Sequence, residues 1–422
     1  MLRSKRSILT IFLGVLNGMA LKRIRTAAKI LRSDGPKALM HRTKRFISKR
    51  ISGPTIQIVL SVGTDDVLAA DWTKPRSRPE RISRNGPLKV NWILPPPTGG
   101  GSGGHLNIFR FVRYLESQGH VCRIFYYDPN SQHSQAEAEA VIKHYPPMKA
   151  TVSVGLKGAE DCDALFATSW QTAYPVFNVV TSAKKFYFVQ DFEPTFYAVG
   201  SESVLAENTY RFGFYGITAG KWLTNKLSHD YAMPCDYYDF GSDFSRYAYN
   251  NVGRRQSIFF YARPVTQRRG FELGVLALEL FNREHPQYDL HFAGWDVSDY
   301  KLPFNFKNHG IMRLDELNGL YNQCAAGLVI SLTNMSLLPL ELMSAGCIPI
   351  MNDGPNNRLV SDNPYIAYVP PSPQAMADEL WHVVSQSDLP ERAKQASDSV
   401  QGLDWNESGA KMESILMREL HG

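Results

Sequence analysis

The chain has 422 residues, of which 44% are hydrophobic and 20% charged; this excludes a disordered or fibrous protein and is enough for two or more domains. The net charge of +6 is unevenly distributed, because residues 1–53 contain 14 basic side chains and one acidic side chain, whereas the remaining residues contain 32 basic and 39 acidic ones. Since the positive charge is confined to one arm, the overall charge does not indicate nucleic-acid binding.

The basic arm begins with an apolar run, Ile8–Leu21, that has basic residues on both sides. The run is too short to span a bilayer comfortably, and no clear cleavage site closes it, although a signal peptide stays open as an alternative. From Leu21 to Ile51 basic and apolar residues interleave, as in an amphipathic surface that lies on anionic lipid. We expect 1–53 to be a membrane-surface arm, with a solvated tail as the alternative, and 54–88 to be a linker.

The first domain opens with a strand, a glycine-rich loop, a helix and a second strand. The strand is predicted over Lys89–Leu94, the loop over Pro95–Gly104, the helix over His105–Ser117 and the next strand over Val121–Tyr127. This succession is typical of a parallel sheet with right-handed crossovers.

The glycine-rich loop matches the dinucleotide-binding pattern G-x-G-x-x-G at Gly99, Gly101 and Gly104. Asp128 follows 24 residues later, near the place of a ribose-binding acid, so an oxidoreductase that uses NAD or FAD stays open. Three prolines, however, separate these glycines from the strand that ends at Leu94. The preferred interpretation is an acceptor or phosphate loop, in which Gly101, Gly103 and Gly104 let a substrate approach the backbone at a helix N-terminus.

Further strands of the same sheet are predicted over Ala164–Thr168, Lys185–Gln190 and Gly216–Thr218. Asp191 and Glu193 follow the second of these strands, among aromatic residues. Carboxylates interleaved with aromatic rings suit sugar hydroxyls and sugar faces, so both residues are candidates for acceptor contact or proton handling. The alternative is a polar turn whose aromatic residues belong to the core.

The second domain contains an arginine-rich loop between a strand, Ser257–Tyr261, and a helix, Phe271–Asn282. Arg263, Arg268 and Arg269 would lie at the carboxyl edge of a parallel sheet, where arginines can bind a diphosphate through bidentate hydrogen bonds. The alternative is that they are solvated loop residues.

The same edge is predicted to hold a carboxylate. Gly327–Ser331 and Cys347–Met351 are apolar runs typical of buried parallel strands, and a short helix begins near Pro339 between them. Glu341 falls in its first turn, where the helix dipole favours a carboxylate, and Gly346 can end the helix. Open α/β sheets bind ligands at this edge, although a helix charge without a further role is the alternative.

Two more elements complete the second half. Gly310–Leu314 is predicted as a strand that leads into a helix capped by Asp315. Asp404–Leu420 is predicted as an amphipathic helix capped by Asp404. Five scattered cysteines without a C-x-x-C pair favour a reducing compartment, and no metal-ligand spacing occurs among the cysteines and histidines.

Several separated motifs resemble one protein family. Gly119-His120-Val121, the R-x-x-x-x-x-R-G loop that ends at Arg269-Gly270, and LPLELMSAGCIPI follow the glycine loop in the order of retaining GT-B glycosyltransferases of family 4. The sets VQDFEPTFY, YRFG, GITAGKWL and SLT…LLPLELMSAG narrow the resemblance to WsaF-type bacterial rhamnosyltransferases. The resemblance covers about residues 88–420 and does not include the basic arm.

The resemblance implies roles for individual residues. Arg263 matches the arginine that binds the donor phosphate, and Arg269 replaces the phosphate-binding lysine. Glu341 matches the second of two glutamates eight positions apart, which holds the donor ribose; the first would fall at Thr333 and is absent as a carboxylate. The expected donor-binding set is completed by Gly294, Arg313, Leu314, Ser336, Leu337 and Leu338.

Together these patterns predict an α/β protein of the GT-B class, in which two Rossmann-like parallel-sheet domains face a central cleft beside the basic extension. The acceptor domain is expected over 89–240, an interdomain linker over 241–254, the nucleotide-sugar domain over 255–403, and a terminal helix over 404–422.

The resemblance implies transfer of a sugar, L-rhamnose from dTDP-L-rhamnose, onto a cell-surface polysaccharide or a lipid-linked glycan at the inner face of the cell membrane. Neither a metal nor a resident cofactor is expected, and retention of configuration is implied by the family alone. The predicted catalytic residues are Asp191, Glu193, Arg263 and Arg269. The third alternative, a non-catalytic nucleotide-sugar-binding protein, is favoured only by Thr333.

Overall fold

The computed structural model describes residues 60–74, 86–96 and 103–421. The chain divides into two compact units, Met1–Val59 and Leu60–Gly422, and all of the described residues belong to the second unit. The basic arm, Gly99 and Gly101 lie outside the described residues, so the predictions made for them stay predictions. No helix in the described part is long and apolar enough to cross a membrane.

The first sheet has seven parallel strands in the order β3-β2-β1-β4-β5-β6-β7. They are β1 (Lys89–Leu94), β2 (Val121–Tyr126), β3 (Thr151–Val154), β4 (Ala164–Ala167), β5 (Lys184–Val189), β6 (Tyr215–Ala219) and β7 (Cys235–Tyr238). The central strands are almost wholly apolar and buried, as parallel strands covered by helices on both faces must be. The strands predicted in this half are confirmed to within one or two residues.

Six helices belong to this half of the described chain: α1 (Thr64–Ala69), α2 (Gly103–Ser117), α3 (Gln135–Ile142), α4 (Trp170–Asn178), α5 (Ser201–Asn208) and α6 (Lys221–Tyr231). Helix α1 lies within the segment that was expected to be a linker. It is held by Asp66, whose carboxylate accepts a hydrogen bond from Tyr127 Oη at 2.5 Å and whose carbonyl accepts one from Asn178 Nδ2 at 2.8 Å. The described part of that segment therefore packs on the first sheet.

The second sheet has six parallel strands in the order β10-β9-β8-β11-β12-β13. They are β8 (Ser257–Tyr261), β9 (Asp289–Ala293), β10 (Lys307–Asn308), β11 (Cys324–Val329), β12 (Ile348–Asn352) and β13 (Ala367–Val369). The helices are α7 (Phe271–Glu284), α8 (Leu317–Gln323), α9 (Leu338–Ser344), α10 (Pro355–Arg358), α11 (Pro373–Ser385) and α12 (Leu389–Asp398). The β11-α9-β12 unit is confirmed, and Gly346 follows α9 with a φ of +73°.

One predicted strand and one predicted cap are wrong. Gly310–Leu314 is not a strand, because the edge of the sheet is already formed by the two residues of β10, which pair with β9. Asp315 does not cap α8, since its carboxylate accepts hydrogen bonds from the Arg313 side chain at 3.0 and 2.8 Å. The apolar composition of this segment instead reflects a loop in which Ile311 and Leu314 are exposed.

The last helix, α13 (Trp405–His421), returns to the first sheet. Asp404 caps it as predicted, accepting a hydrogen bond from the Asn406 N–H at 2.8 Å. Its apolar face is buried at Met412, Ile415, Leu416 and Leu420. A hydrogen bond and an ion pair fix the helix to the first half of the chain: Glu413 with His120 Nε2 at 3.1 Å, and Glu419 with Lys184 at 2.5 Å.

Each sheet has a switch point, where the strand order reverses and where ligands bind in open α/β sheets. In the first sheet it lies between β1 and β4, and in the second between β8 and β11. The loops after β8 and β11 are the arginine-rich loop and the loop that precedes Glu341.

Candidate active site

The arginine loop joins β8 to α7, and two of its guanidinium groups are fixed by neutral partners. Arg263 donates to Tyr261 Oη and to Thr266 Oγ1, both at 3.1 Å. Arg269 donates to Ser331 Oγ at 2.5 Å, which ties the loop after β8 to the end of β11. Among the described residues, neither guanidinium forms an ion pair, so both can balance the charge of an anionic ligand.

The third arginine is paired. Arg268 Nε lies 3.3 Å from Asp191 Oδ2, and its guanidinium carbon lies 3.9 Å from the centre of the Phe196 ring. Burial lowers the pKa of Arg269; Asp191 opposes this effect, whereas Arg268 and Arg263 add to it. Three cations of the loop and the carboxylate of Asp191 therefore lie close together. Their net positive charge favours an anionic ligand.

Asp191 follows β5 of the first sheet but bonds mainly to the second. Its Oδ1 accepts hydrogen bonds from the N–H groups of Phe192 at 2.8 Å and Asn334 at 2.9 Å. Its Oδ2 accepts one from the Thr333 hydroxyl at 3.0 Å. The structure thus brings predicted catalytic Asp191 against predicted donor-binding Thr333. A carboxylate lies beside the threonine that stands where the family resemblance implies a glutamate.

Glu193 is placed differently, among buried groups of the first half of the chain. One carboxylate oxygen accepts a hydrogen bond from the Trp170 N–H at 2.7 Å, at the start of α4, and the other lies 3.3 Å from Tyr187 Oη. Its own N–H donates to Tyr210 Oη at 3.1 Å. Burial raises the pKa of Glu193 to about 8. The side chain is 6% exposed, so in this conformation it joins core elements and does not face an open cleft.

Glu341 lies in the first turn of α9, as predicted. Burial raises the pKa of Glu341 to about 7, and Asp243 adds to this effect, whereas Arg110 and Arg246 oppose it. The approach of a cation or a hydroxyl donor would therefore favour the ionised form of the Glu341 carboxyl group. Tyr247 is the fourth neighbour, and burial and the nearby Glu341 raise its pKa.

Arg110 is a neighbour of the predicted site residue Glu341 that sequence reasoning missed. It projects from α2, forms an ion pair with Asp243, and donates to Asn107 Oδ1 at 2.8 Å. Its guanidinium carbon also lies 4.3 Å from the centre of the Trp405 ring. No local signal could have found it, because Asp243 is 133 positions away in the chain.

The loop between Thr333 and α9 provides uncommitted polar groups. The Ser336 hydroxyl is buried and has no hydrogen-bond partner among the described residues, whereas the Met335 N–H is already bound to the Asn356 carbonyl at 3.3 Å. Leu337 is the N-cap residue of α9 and Leu338 its first residue, so their N–H groups have no acceptor within the helix. Ser331 precedes this loop in the chain and accepts the hydrogen bond from Arg269, so it connects the loop to the arginine-rich loop.

The remaining predicted donor residues fall into two groups. Gly294 ends β9 with a φ of +120°, and a Cβ atom there would lie 2.7 Å from the Tyr261 ring, which holds Arg263. Only glycine fits this position. By contrast, Arg313 is exposed and paired with Asp315, and Leu314 is 41% exposed, so the structure places this pair at the surface.

The described part of the glycine loop starts α2. Gly103 is the first helical residue, and the Gly104 carbonyl accepts a hydrogen bond from Gln190 Nε2 at 3.2 Å, next to Asp191. Asp128, the candidate ribose-binding acid of the oxidoreductase alternative, accepts a hydrogen bond from the His133 N–H at 2.7 Å within its own loop. No group of three or more potential metal ligands occurs among the described residues.

Comparison with solved structures defines the class. Anabaena HepE in complex with UDP-glucose matches with a TM-score of 0.62 and 13% identity, over 78% of this chain and all of that one. A glycosyltransferase from Rickettsia africae matches with a TM-score of 0.55 and 15% identity, over 80% of this chain and 99% of that one. The chain has two parallel Rossmann-like sheets, and its structural neighbours have the same architecture. The fold is therefore the GT-B fold of glycosyltransferases, as predicted.

Sequence comparison then identifies the family. Residues 128–219 match the model described as "WsaF, N-terminal domain" and residues 256–381 match "WsaF, C-terminal domain". The chain carries both domains, which together span about half of it, and belongs to the WsaF family. The predicted resemblance is thereby confirmed.

A longer relative shares this region. The O-antigen biosynthesis protein RfbC of Myxococcus xanthus is 32% identical over 350 residues, which are 79% of this chain and 27% of that protein. The chain thus spans about a quarter of the length of this relative.

Proposed function

We propose that this protein is a retaining glycosyltransferase that moves a sugar, L-rhamnose, from dTDP-L-rhamnose onto a cell-surface polysaccharide or a lipid-linked glycan. One observation carries the proposal. At the switch point of the second sheet, Arg263 and Arg269 are rigidly held and lack an ion-pair partner among the described residues. Such fixed cations are suited to a nucleoside diphosphate, which gains negative charge as the sugar leaves.

The donor would lie across the ends of β8 and β11. Its diphosphate would meet Arg263, Arg269 and the free polar groups of the loop before α9. Its ribose hydroxyls would donate to Glu341, whose charged form is favoured by the nearby Arg110 and Arg246. A nucleotide sugar as the ligand is supported by HepE, which has a similar fold and whose structure is a complex with UDP-glucose.

The choice of sugar and acceptor has separate support. Membership of the WsaF family favours rhamnose, as the family resemblance implies, and the name of RfbC favours a surface glycan as the acceptor. The fold alone would not suffice, because a Listeria monocytogenes protein described as a UDP-N-acetylglucosamine 2-epimerase has a similar fold at a TM-score of 0.51.

The donor is tested by measuring the melting temperature of the protein with each of several nucleotides. We expect dTDP and dTDP-L-rhamnose to raise it, because a ligand that binds only the native state stabilises by RT ln(1 + [L]/Kd), or about 2.7 kcal/mol at a hundredfold excess over Kd. UDP-glucose, GDP-mannose, NAD and FAD serve as comparison ligands. The same shift should be smaller in Arg263→Ala.

Each outcome decides a different part of the proposal. Stabilisation only by UDP- or GDP-sugars would keep the transferase and refute rhamnose. Stabilisation only by NAD or FAD would refute the transferase and favour the glycine-loop oxidoreductase. Binding of dTDP-L-rhamnose without release of dTDP, in the presence of membrane-extracted glycan lipids, would favour the non-catalytic alternative.

We also propose that residues 1–53 hold the enzyme at the inner face of the cell membrane. The support is the excess of 14 basic residues over one acidic residue, interleaved with apolar positions, which suits anionic lipid. Deleting residues 1–53 should abolish sedimentation with vesicles that contain phosphatidylglycerol and leave the melting temperature unchanged. Vesicles of phosphatidylcholine alone are the control. Continued sedimentation of the deletion variant with anionic vesicles would contradict this role.

A further inference from the structure

Direct hydrogen bonds join the carboxyl ends of the two sheets at Asp191 and Asn334. Asp191 follows β5 of the first sheet, and Asn334 follows β11 of the second, 143 positions later. Both side chains are buried, with 8% and 1% exposed. The contact therefore lies between the two sheet edges and is excluded from solvent.

Both oxygens of the Asp191 carboxylate have partners. A carboxylate has about four lone-pair sites. Here Phe192, Asn334 and Thr333 supply three hydrogen bonds and Arg268 an ion pair. Three of these four partners belong to the second half of the chain. These contacts hold both carboxylate oxygens between the two halves of the chain, so the geometry of Asp191 is that of an anchor.

Asn334 complements this anchor from the opposite side. Its Nδ2 donates to the carbonyls of Gln190 at 3.1 Å and Ala219 at 2.8 Å, which lie at or just past the ends of β5 and β6. Two carbonyl acceptors fix the orientation of the amide, because the amide oxygen could not replace the nitrogen there. The amide oxygen is buried and has no hydrogen-bond partner among the described residues.

The same contact region also holds one side chain of the arginine loop. Arg268 is held between Asp191 and the ring of Phe196, both in the segment after β5. Arg269, its neighbour, is bound to Ser331 at the end of β11. Separation of the two sheet edges would therefore release the Arg268 side chain, whereas Arg269 and the hydrogen bond from the Leu332 N–H to the Arg268 carbonyl would keep the loop attached to the end of β11.

We infer that Asp191 and Asn334 are positioning residues, which dock the first sheet domain onto the two loops that bind the donor. The transferred sugar would be enclosed and aligned with the acceptor only in the docked state. The kinetic part of this inference rests on the proposed function, whereas the docking itself does not.

Docking is tested by small-angle X-ray scattering of the full chain without ligands. We expect Asp191→Asn and Asn334→Ala to increase the radius of gyration relative to the unsubstituted protein. The control is Glu279→Gln, which removes a carboxylate from an exposed ion pair with Arg283 on α7. Thr333→Val is a milder variant, since it removes only one hydroxyl. Equal radii for all five proteins, with unchanged melting temperatures, would overturn the inference.

A double-mutant cycle links docking to transfer. Asp191→Asn and Thr333→Val should each lower kcat by about tenfold or more with little change in the Kd for dTDP, and their combination should cost no more than the larger single effect, because both break one shared contact. Asp191→Asn combined with Glu279→Gln should be additive. A purely structural role would instead lower the melting temperature and spare kcat. Independent effects of Asp191 and Thr333 would overturn the coupling.

These experiments separate the two proposals. If no nucleotide sugar binds, the proposed function fails, and scattering still decides whether the residues dock the domains. If the donor binds and scattering does not change in any variant, the docking inference fails and the proposed function stands.

Discussion

Arg263→Ala should lower turnover at saturating donor about a hundred- to a thousandfold, which corresponds to about 3–4 kcal/mol of lost transition-state stabilisation. The reason is that Arg263 is preorganised by Tyr261 and Thr266 and has no carboxylate partner among the described residues. Its charge is therefore available to the departing diphosphate without prior reorganisation. Single-turnover kinetics with dTDP-L-rhamnose would measure the effect on the chemical step.

The control for this variant is Arg283→Ala. Arg283 is also an arginine of the second domain, where it lies in α7, but it is exposed and paired with Glu279. We expect its turnover to stay within about twofold of the unsubstituted protein, since exposed ion pairs contribute little. An unchanged turnover rate for Arg263→Ala at saturating donor would refute the role of Arg263 in the transition state.

Glu193→Gln should remove a pH-dependent loss of stability. Burial raises the pKa of Glu193 from 4.5 to about 8 in the folded protein. Below pH 4.5 the Glu193 carboxyl group is protonated in both the folded and the unfolded state, so its full contribution to the free energy of unfolding is present. Between pH 4.5 and 8 the unfolded state loses its proton first, so stability falls by about 5 kcal/mol as the pH rises through this window.

The glutamine variant cannot ionise and should lose this slope. Its amide can still accept a hydrogen bond from the Trp170 N–H and can donate to Tyr187 Oη, so the packing is preserved. Urea unfolding at pH 5 and pH 8 measures the difference. We expect the variant to be more stable than the unsubstituted protein at pH 8 and similar to it at pH 5. Equal pH slopes for the two proteins would show that Glu193 is ionised in the folded state.

Local patterns predicted the elements that hold the site, but not the contacts between them. The strands on both sides of α9 and the position of Glu341 follow from apolar runs and helix-start signals, which act over a few residues. The contact of Asp191 with Thr333 joins positions 142 apart, and neither residue carries a signal for the other. The position of Glu193 also escaped prediction, because its partners come from β5, α4 and the turn after α5.

The segment 310–314 failed for a different reason. Its apolar residues have the composition of a buried strand, yet the sheet is already bounded by β10, and Ile311 is 76% exposed. Composition cannot distinguish an edge strand from a loop with exposed apolar residues, because the difference depends on which backbone groups are already paired. The predictions for residues 1–59 and the glycine loop up to Ser102 stay predictions.

The return of α13 to the first sheet separates the order of synthesis from the order of folding. The buried face formed by Met412, Ile415, Leu416 and Leu420 covers α2 and β7, which leave the ribosome far earlier. Until residues 405–421 emerge, the nascent first domain exposes the apolar surface that this helix later covers. Domains usually mature from the N-terminus during translation. Here the first domain to be made is completed last, so a stalled or truncated nascent chain would be a natural client for a chaperone.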